Sequence, residues 1–392
     1  MQCSDSPIRF DWPRKINEIP KEVFVRADIY REEIRRIFHG PEWHPLAHVS
    51  ELPEPGDFKT LTIGATPVIV MHGDDGQIRV FANTCPHRGT QLETASRGHA
   101  RSIECPYHRW AFNTRGELMG APGVQEFPAS FRKQDYGMWV LRSAQFCGMV
   151  FATLDANVAP LDEYLGETRE YIARAFGGDG NLRLLGYQKV SFATNWKEYS
   201  DNEGYHAPLL HRAFRLLKWQ GGAGSQFMTS RAHKVIAAEL SHAPDSGFLH
   251  DHSLIEVFDK SKAPQSIVVS LFPVSLILHH LDVITVRYAL PVSQDETEVH
   301  YTYFARADDS PELLQHRVRQ ASNLLGPSGL ISLEDGAVFN RLHVGARTGG
   351  IAAFQKGVQD NMGLPTSLKQ NDEAGNLVRW ERYRQAMGFE RV

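Results

Sequence analysis

The spacing of apolar residues changes character along this 392-residue chain. In "DIYREEIRRIFHG", Ile29, Tyr30, Ile34, Ile37 and Phe38 recur at helical intervals, with Asp28 placed to cap the start and Gly40 the end. From about Pro41 the rhythm shortens to alternation in brief runs. "TPVIVMHGDDGQIRVFANT" predicts a hairpin around Asp74, Asp75 and Gly76, and "HRWAFNTRGELMG" predicts another turning at Asn113–Gly116. Residues 41–155 therefore read as one compact β-rich domain.

Beyond Leu161 the pattern is mixed. "LDEYLGETREYIARAF" has helical spacing, and "GYQKVSFATNW" alternates as a strand does. "RYALPVSQDETEVHYTYFARA" predicts an antiparallel hairpin, with Val286–Ala289 running in and Val299–Ala305 running out. Ser310–Pro311 then opens the helix "SPELLQHRVRQASNLLG", with Leu314, Val318, Ala321 and Leu325 as its expected core stripe. Strands and helices in separate blocks predict an α+β fold: a β-rich domain over 41–155, and a larger domain from 1–40 and 156–392 with an antiparallel sheet flanked by helices. No internal repeat or low-complexity tract interrupts it.

Composition narrows the classes. At 42% hydrophobic and 10% aromatic residues the chain can bury two cores, and its length exceeds that of one ordinary domain. Forty-two basic and 46 acidic residues leave a net charge of −4 without long runs of one sign, so a nucleic-acid footprint is not expected. Residues 266–286, "SIVVSLFPVSLILHHLDVITV", approach a membrane span in length, but Pro273, His279, His280 and Asp282 interrupt them. Two buried strands with a connection account for them better, and no membrane role is expected. "MQCSDSPIRFDWPRK" lacks a signal-peptide core. Four cysteines, Cys3, Cys85, Cys105 and Cys147, make no disulfide framework, and a cytoplasmic location is the expectation.

The chemistry concentrates in "CPHRGTQLETASRGHARSIECPYHRW". It reads C-x-H, seventeen residues, then C-x-x-H: Cys85/His87 and Cys105/His108. Structural zinc sites favour C-x2-4-C with H-x3-5-H, so C-x-H suits zinc poorly. In Rieske centres two imidazoles replace two thiolates on one iron of a [2Fe-2S] cluster. Neutral ligands lower the negative charge of the cluster, which makes the added electron cheaper and raises the potential. Each imidazole also keeps a second nitrogen through which proton and electron uptake can couple.

Residues 85–108 resemble the Rieske signature closely. Respiratory and photosynthetic Rieske proteins carry two further cysteines, where this chain has Thr90 and Tyr107, so the resemblance points to the ferredoxin and oxygenase branch. A ferredoxin would end near residue 155. In the remainder, "NWKEYSDNEGYHAPLLH" places His206 and His211 five apart, with Asp201 and Glu203 nearby. Five residues turn about 140° on an ideal helix, so a shared ligand needs a distortion there, for which Pro208 supplies a reason. Two histidines and a carboxylate hold Fe(II) on one face and leave the others open for O2 and substrate. "GPSGLISLEDGAVFNRL" offers Glu334 and Asp335, between which residue chemistry alone does not choose.

Together with "CGMVFATL" and "WERYRQAMG", these stretches resemble the α subunits of Rieske ring-hydroxylating oxygenases over nearly the whole chain, and the terephthalate, salicylate and anthranilate type most closely. The resemblance implies His206, His211 and Asp335 as Fe(II) ligands, and Cys85, His87, Cys105 and His108 as cluster ligands. It also implies an acid three residues before the first histidine as the bridge to a neighbouring subunit's cluster; here that is Glu203, with Asp201 as fallback. The implied activity is O2-dependent dihydroxylation of an aromatic substrate, an aromatic carboxylic acid above others, with mono-hydroxylation or O/N-demethylation as the alternative on the same scaffold. NAD(P)H electrons would arrive from a reductase, with or without a ferredoxin. A head-to-tail homotrimer is implied, or α3β3 with a small β subunit. A rival of another class is a plain electron carrier with a C-terminal binding module.

Arg287, in "DVITVRYALP", clamps a substrate carboxylate if it points inward, and is otherwise a surface or ion-paired arginine. His279, His280 and His343 read as structural or pocket-lining, and Cys3 and Cys147 as inert. Arg88, Arg109 and Trp110 flank the cluster loops, where they are ordinary loop residues or dock an electron donor.

Overall fold

The computed structural model describes residues 8, 10–202, 205–211, 224–239, 249–259 and 265–392. The chain divides into two compact units, Phe38–Leu161 and Met1–Ile37 with Asp162–Val392.

In the smaller unit, strands Ile78–Ala82, Thr66–His72, Asp57–Ile63 and Arg97–His99 form a four-stranded antiparallel sheet. Two three-stranded sheets accompany it: Leu118–Gly120/Ala111–Asn113/Ser102–Glu104 and Arg142–Phe146/Met149–Thr153/His44–His48. Both expected hairpins form. Gly76, with φ +77°, completes the first turn. In the second, the Asn113 side chain accepts the N–H groups of Arg115 and Glu117. Alternation along Thr66–His72 sends Ile69 and Met71 to one core, with Phe58, Phe81, Phe112 and both paired cysteines, and Val68 and Val70 to another.

The larger unit is built on an eight-stranded antiparallel sheet. Its order is Leu182–Phe192, Glu296–Arg306, Val283–Ser293, Ser275–His280, Gln265–Leu271, Lys234–Glu239, Ser225–Met228 and Ser367–Lys369. Residues 266–286 supply three consecutive strands of it rather than two, because Leu281, with φ +55°, and Asp282 make a turn too tight to read as a connection. Among the described residues no helix is long and apolar enough to cross a membrane.

Helices Pro311–Gln320 and Leu330–Ala346 follow the last long hairpin, with Ser310 capping the first through Leu313 N–H. The expected stripe holds at Ala321 and Leu325, both buried, and breaks at Val318. Val318 is 47% exposed, while His316, Arg317 and Gln320 are buried. Those polar residues are buried because each finds partners. Gln320 donates to Leu254 O and Glu256 O and accepts from Asp282 N–H, and Arg317 meets Asp309 at 2.6 Å. The N-terminal helix, Ala27–Glu33, likewise departs from expectation. Asp28 does not cap it but pairs with Arg26, and Glu33 is fully buried. Trp196, Lys197 and Tyr383 all hydrogen-bond to the Glu33 carboxylate.

Candidate iron–sulfur and iron sites

The two cysteine loops repeat one backbone design. Cys85 N–H donates to Thr90 O, and Gly89 N–H to Cys85 O; Cys105 N–H donates to Trp110 O, and Arg109 N–H to Cys105 O. Each loop therefore closes four residues after its cysteine, at a residue with positive φ: Gly89 at +74° and Arg109 at +59°. The second is an arginine where glycine is cheaper. The design buries both cysteines and leaves His87 exposed and His108 partly exposed, with ring centroids 4.7 Å apart.

Burial pushes the Cys85 thiol up, opposed by the backbone N–H groups of His87 and Arg88. Burial acts on Cys105 the same way, but the N–H groups of Tyr107 and His108 hold it down. Amides directed at both sulfurs, and a buried His108 Nδ1 without a hydrogen-bond partner, suit a cluster held by two thiolates on its inner side and two imidazoles on its outer side. Trp110 is not a docking residue. It is buried and stacks on His87 at 4.6 Å and 9°. Arg88 is exposed over the Tyr107 ring, and Arg109 pairs with Glu104 at 2.6 Å. Cys147 lies at the Phe146–Gly148 turn and forms no disulfide among the described residues, whereas Cys3 lies outside them.

In the larger unit, Asn195 caps the short helix Trp196–Ser200, and the chain then reaches a single turn, Ala207–Leu210. Pro208 starts this turn rather than kinking it. His206 precedes the turn and His211 leaves it in extended conformation (φ −88°, ψ 106°), which removes the 140° conflict. Asp335 comes from the helix Leu330–Ala346. His211 Nε2 lies 3.0 Å and His206 Nε2 3.3 Å from Asp335 Oδ1. The three donor atoms fall within 4.8 Å of one another, the arrangement a mononuclear ion needs. Burial alone would raise the Asp335 carboxyl, but the two imidazoles hold it well below the carboxylate range. Glu334 faces the other nitrogen of His211, Nδ1, at 3.0 Å, which fixes the ring with Nε2 toward the site. Glu203 lies outside the described residues. Asp201 accepts Trp380 Nε1–H at 3.0 Å and, through its carbonyl, Asn376 Nδ2–H.

Two cavities share His206 and Asp335 on their walls. One, of about 130 Å³, is lined by Phe192, Val268, Leu276 and Phe339, with Arg287 and His280 among its polar groups. The other, of about 480 Å³, carries Glu198 and Leu342. Arg287 is 7% exposed. Its Nη2 donates to Leu325 O, its guanidinium lies 4.7 Å from the Tyr301 ring centroid, and its Nε has no hydrogen-bond partner. Among the described residues no carboxylate pairs with it. Tyr199 and Tyr301, which the sequence pattern did not single out, complete its surroundings.

Comparison with known families places the chain. Residues 42–133 match the Rieske [2Fe-2S] domain, and residues 179–364 match the ring hydroxylating alpha subunit catalytic domain. The chain belongs to the Rieske ring-hydroxylating oxygenases. It is 34% identical to the anthranilate 1,2-dioxygenase large subunit of Burkholderia cepacia over 81% of each chain. To a terephthalate 1,2-dioxygenase terminal oxygenase α subunit of Comamonas sp it is 33% identical, over 95% of this chain and 96% of that one. The fold matches naphthalene 1,2-dioxygenase with indole bound, at TM-score 0.81 and 22% identity over 97% of this chain and 96% of that one. As an α subunit it is the terminal oxygenase, using O2 to hydroxylate aromatic substrates, with a Rieske [2Fe-2S] cluster and a mononuclear iron as cofactors. Members of this family take electrons from a reductase or ferredoxin and form multimers.

Proposed function

We propose that this oxygenase dihydroxylates a single-ring aromatic carboxylic acid, held by Arg287 beside an iron on His206, His211 and Asp335. Cys85, His87, Cys105 and His108 hold the cluster in this reading, within residues 41–155, and the iron belongs to the domain of 1–40 and 156–392. The observation that carries the substrate class is Arg287: a buried guanidinium on the cavity wall, without a carboxylate partner among the described residues. Burying a cation without a counter-ion costs several kcal/mol, and a carboxylate ligand offsets that cost with charge-assisted hydrogen bonds. The size supports one ring, because an apolar cavity of about 150 Å³ is known to hold benzene and this one is about 130 Å³. The iron supplies O2 activation when bound; the chain's own part is to orient the ring with Arg287 and exclude water with its apolar walls.

Arg287→Gln should raise KM for the productive acid by about 30- to 100-fold and leave KM for its neutral amide within about 3-fold. Equal effects on both would remove the clamp. In a single turnover of the pre-reduced protein with ¹⁸O2 and a benzoate and salicylate panel, the expected product is a cis-diol with two labelled oxygens. A phenol or dealkylated acid with one label would establish the mono-oxygenating alternative. The proposed assembly is a homotrimer or α3β3 in the cytoplasm, fed by a reductase with or without a ferredoxin. Glu203, with Asp201 as fallback, is the proposed bridge between subunits.

A further inference from the structure

Oxygenation consumes protons as well as electrons. Arene, O2, two electrons and two protons give a dihydrodiol; the same inputs give a phenol and water; without substrate they give peroxide. The electrons come from the family's reductase or ferredoxin. The protons must reach a cavity whose walls are largely apolar.

One buried chain of titratable groups leads to the larger cavity, which shares His206 and Asp335 with the cavity that carries Arg287. Glu198 lines the larger cavity, as do His206 and Asp335. Its Oε2 accepts from His343 Nδ1 at 2.9 Å. The other ring nitrogen, Nε2, lies 2.8 Å from Asp295 Oδ1. The His343 side chain is 2% exposed and that of Asp295 45%, so the chain starts at solvent and ends at the cavity. Three elements hold it. Glu198 closes the capping box with Asn195, Asn195 Nδ2 donates to Gln294 O and so ties in the turn that carries Asp295, and His343 lies on the helix that supplies Asp335. The capping box explains a glutamate at 198. It does not explain a buried imidazole spanning from that glutamate to a solvent-exposed aspartate.

We propose that Asp295, His343 and Glu198 form a proton relay from solvent to the cavity beside His206 and Asp335. A proton leaves His343 Nδ1 for Glu198 Oε2 and passes to cavity water. The ring, left neutral with its remaining proton on Nε2, rotates to turn the bare Nδ1 toward the Asp295 end, where a proton from solvent restores the imidazolium. Hydrogen bonding to Glu198, and then to Asp295, keeps the imidazole charged above its ordinary range against the opposing effect of burial. The other charges close by are Arg347, 3.7 Å from Asp295, and Lys197, which acts on Glu198 and is itself paired with Glu33. The relay rests on the oxygenase activity and not on the carboxylate reading of Arg287.

The test follows stopped-flow reoxidation of the iron-loaded, fully reduced protein by O2 in H2O and D2O. It is run with the acid selected by the substrate panel, or without substrate, when peroxide formation draws the same two protons. Asp295→Asn and His343→Gln should each slow the proton-dependent phase about 10-fold and enlarge its solvent isotope effect. Added formate should restore the Asp295→Asn rate, because a small acid can protonate His343 from solvent, and should not restore His343→Gln, whose chain is broken inside. In the metal-free protein, the His343 ring followed by NMR should titrate above the ordinary histidine range and fall toward it in Asp295→Asn. Wild-type rates in both variants, or slowing in both with no rescue in either, would overturn the relay; the second outcome marks a purely structural triad.

Discussion

At the scale of the residue, function depends on which atom faces which partner. His211 presents Nε2 to Asp335 because Glu334 occupies Nδ1. Glu334→Gln should therefore lower iron affinity about 10-fold while leaving the ligand set intact, as read by iron retained against a graded chelator. His343 gives a pH dependence of known sign. Its pKa is raised in the folded protein, so its contribution to stability is full below about pH 6.5, the ordinary histidine value, and is lost as pH rises through the folded value. Thermal unfolding of wild type and His343→Gln should differ more at pH 6 than at pH 9. The sequence pattern had assigned His343 a structural or pocket-lining place; it could not show that two carboxylates from elements far apart in the chain meet on its two nitrogens.

At the scale of the element, periodicity found segments more reliably than faces. Ser310 and Pro311 start their helix where capping chemistry requires, yet the face turned inward carries His316, Arg317 and Gln320 instead of Val318. A hydropathy pattern assumes that polar side chains seek water, and these are buried because hydrogen bonds replace it. Gln320→Leu should destabilise by about 2 kcal/mol or more, since it strands Asp282 N–H and the Leu254 carbonyl. Val318→Thr should stay within about 0.5 kcal/mol. Chemical denaturation of the two variants decides whether Gln320 or Val318 belongs to the buried face. The cysteine loops show the opposite case: their ligand spacing was legible because each loop is local, closing within five residues of its cysteine.

At the scale of the whole molecule, two cofactors of different chemistry predict an iron count. The loaded chain should hold about three irons and His206→Ala about two, with the Rieske spectrum unchanged, as measured by metal analysis and absorption. A count of two in the wild type would remove His206, His211 and Asp335 as an iron site. The sequence by itself determined the α+β class and singled out the cluster loops and the two histidines as candidates, because short-range spacing and ligand chemistry specify them. It left Glu334 and Asp335 equivalent, and family resemblance rather than residue chemistry chose between them. Only the tertiary structure set Asp335 against both histidines, buried Arg287 without a counter-ion among the described residues, and joined Glu198, His343 and Asp295. The physical reason is distance along the chain: more than a hundred residues separate His206 from Asp335 and Glu198 from His343. No local period encodes a contact that exists only once an eight-stranded sheet and the helix after it have folded around one cavity.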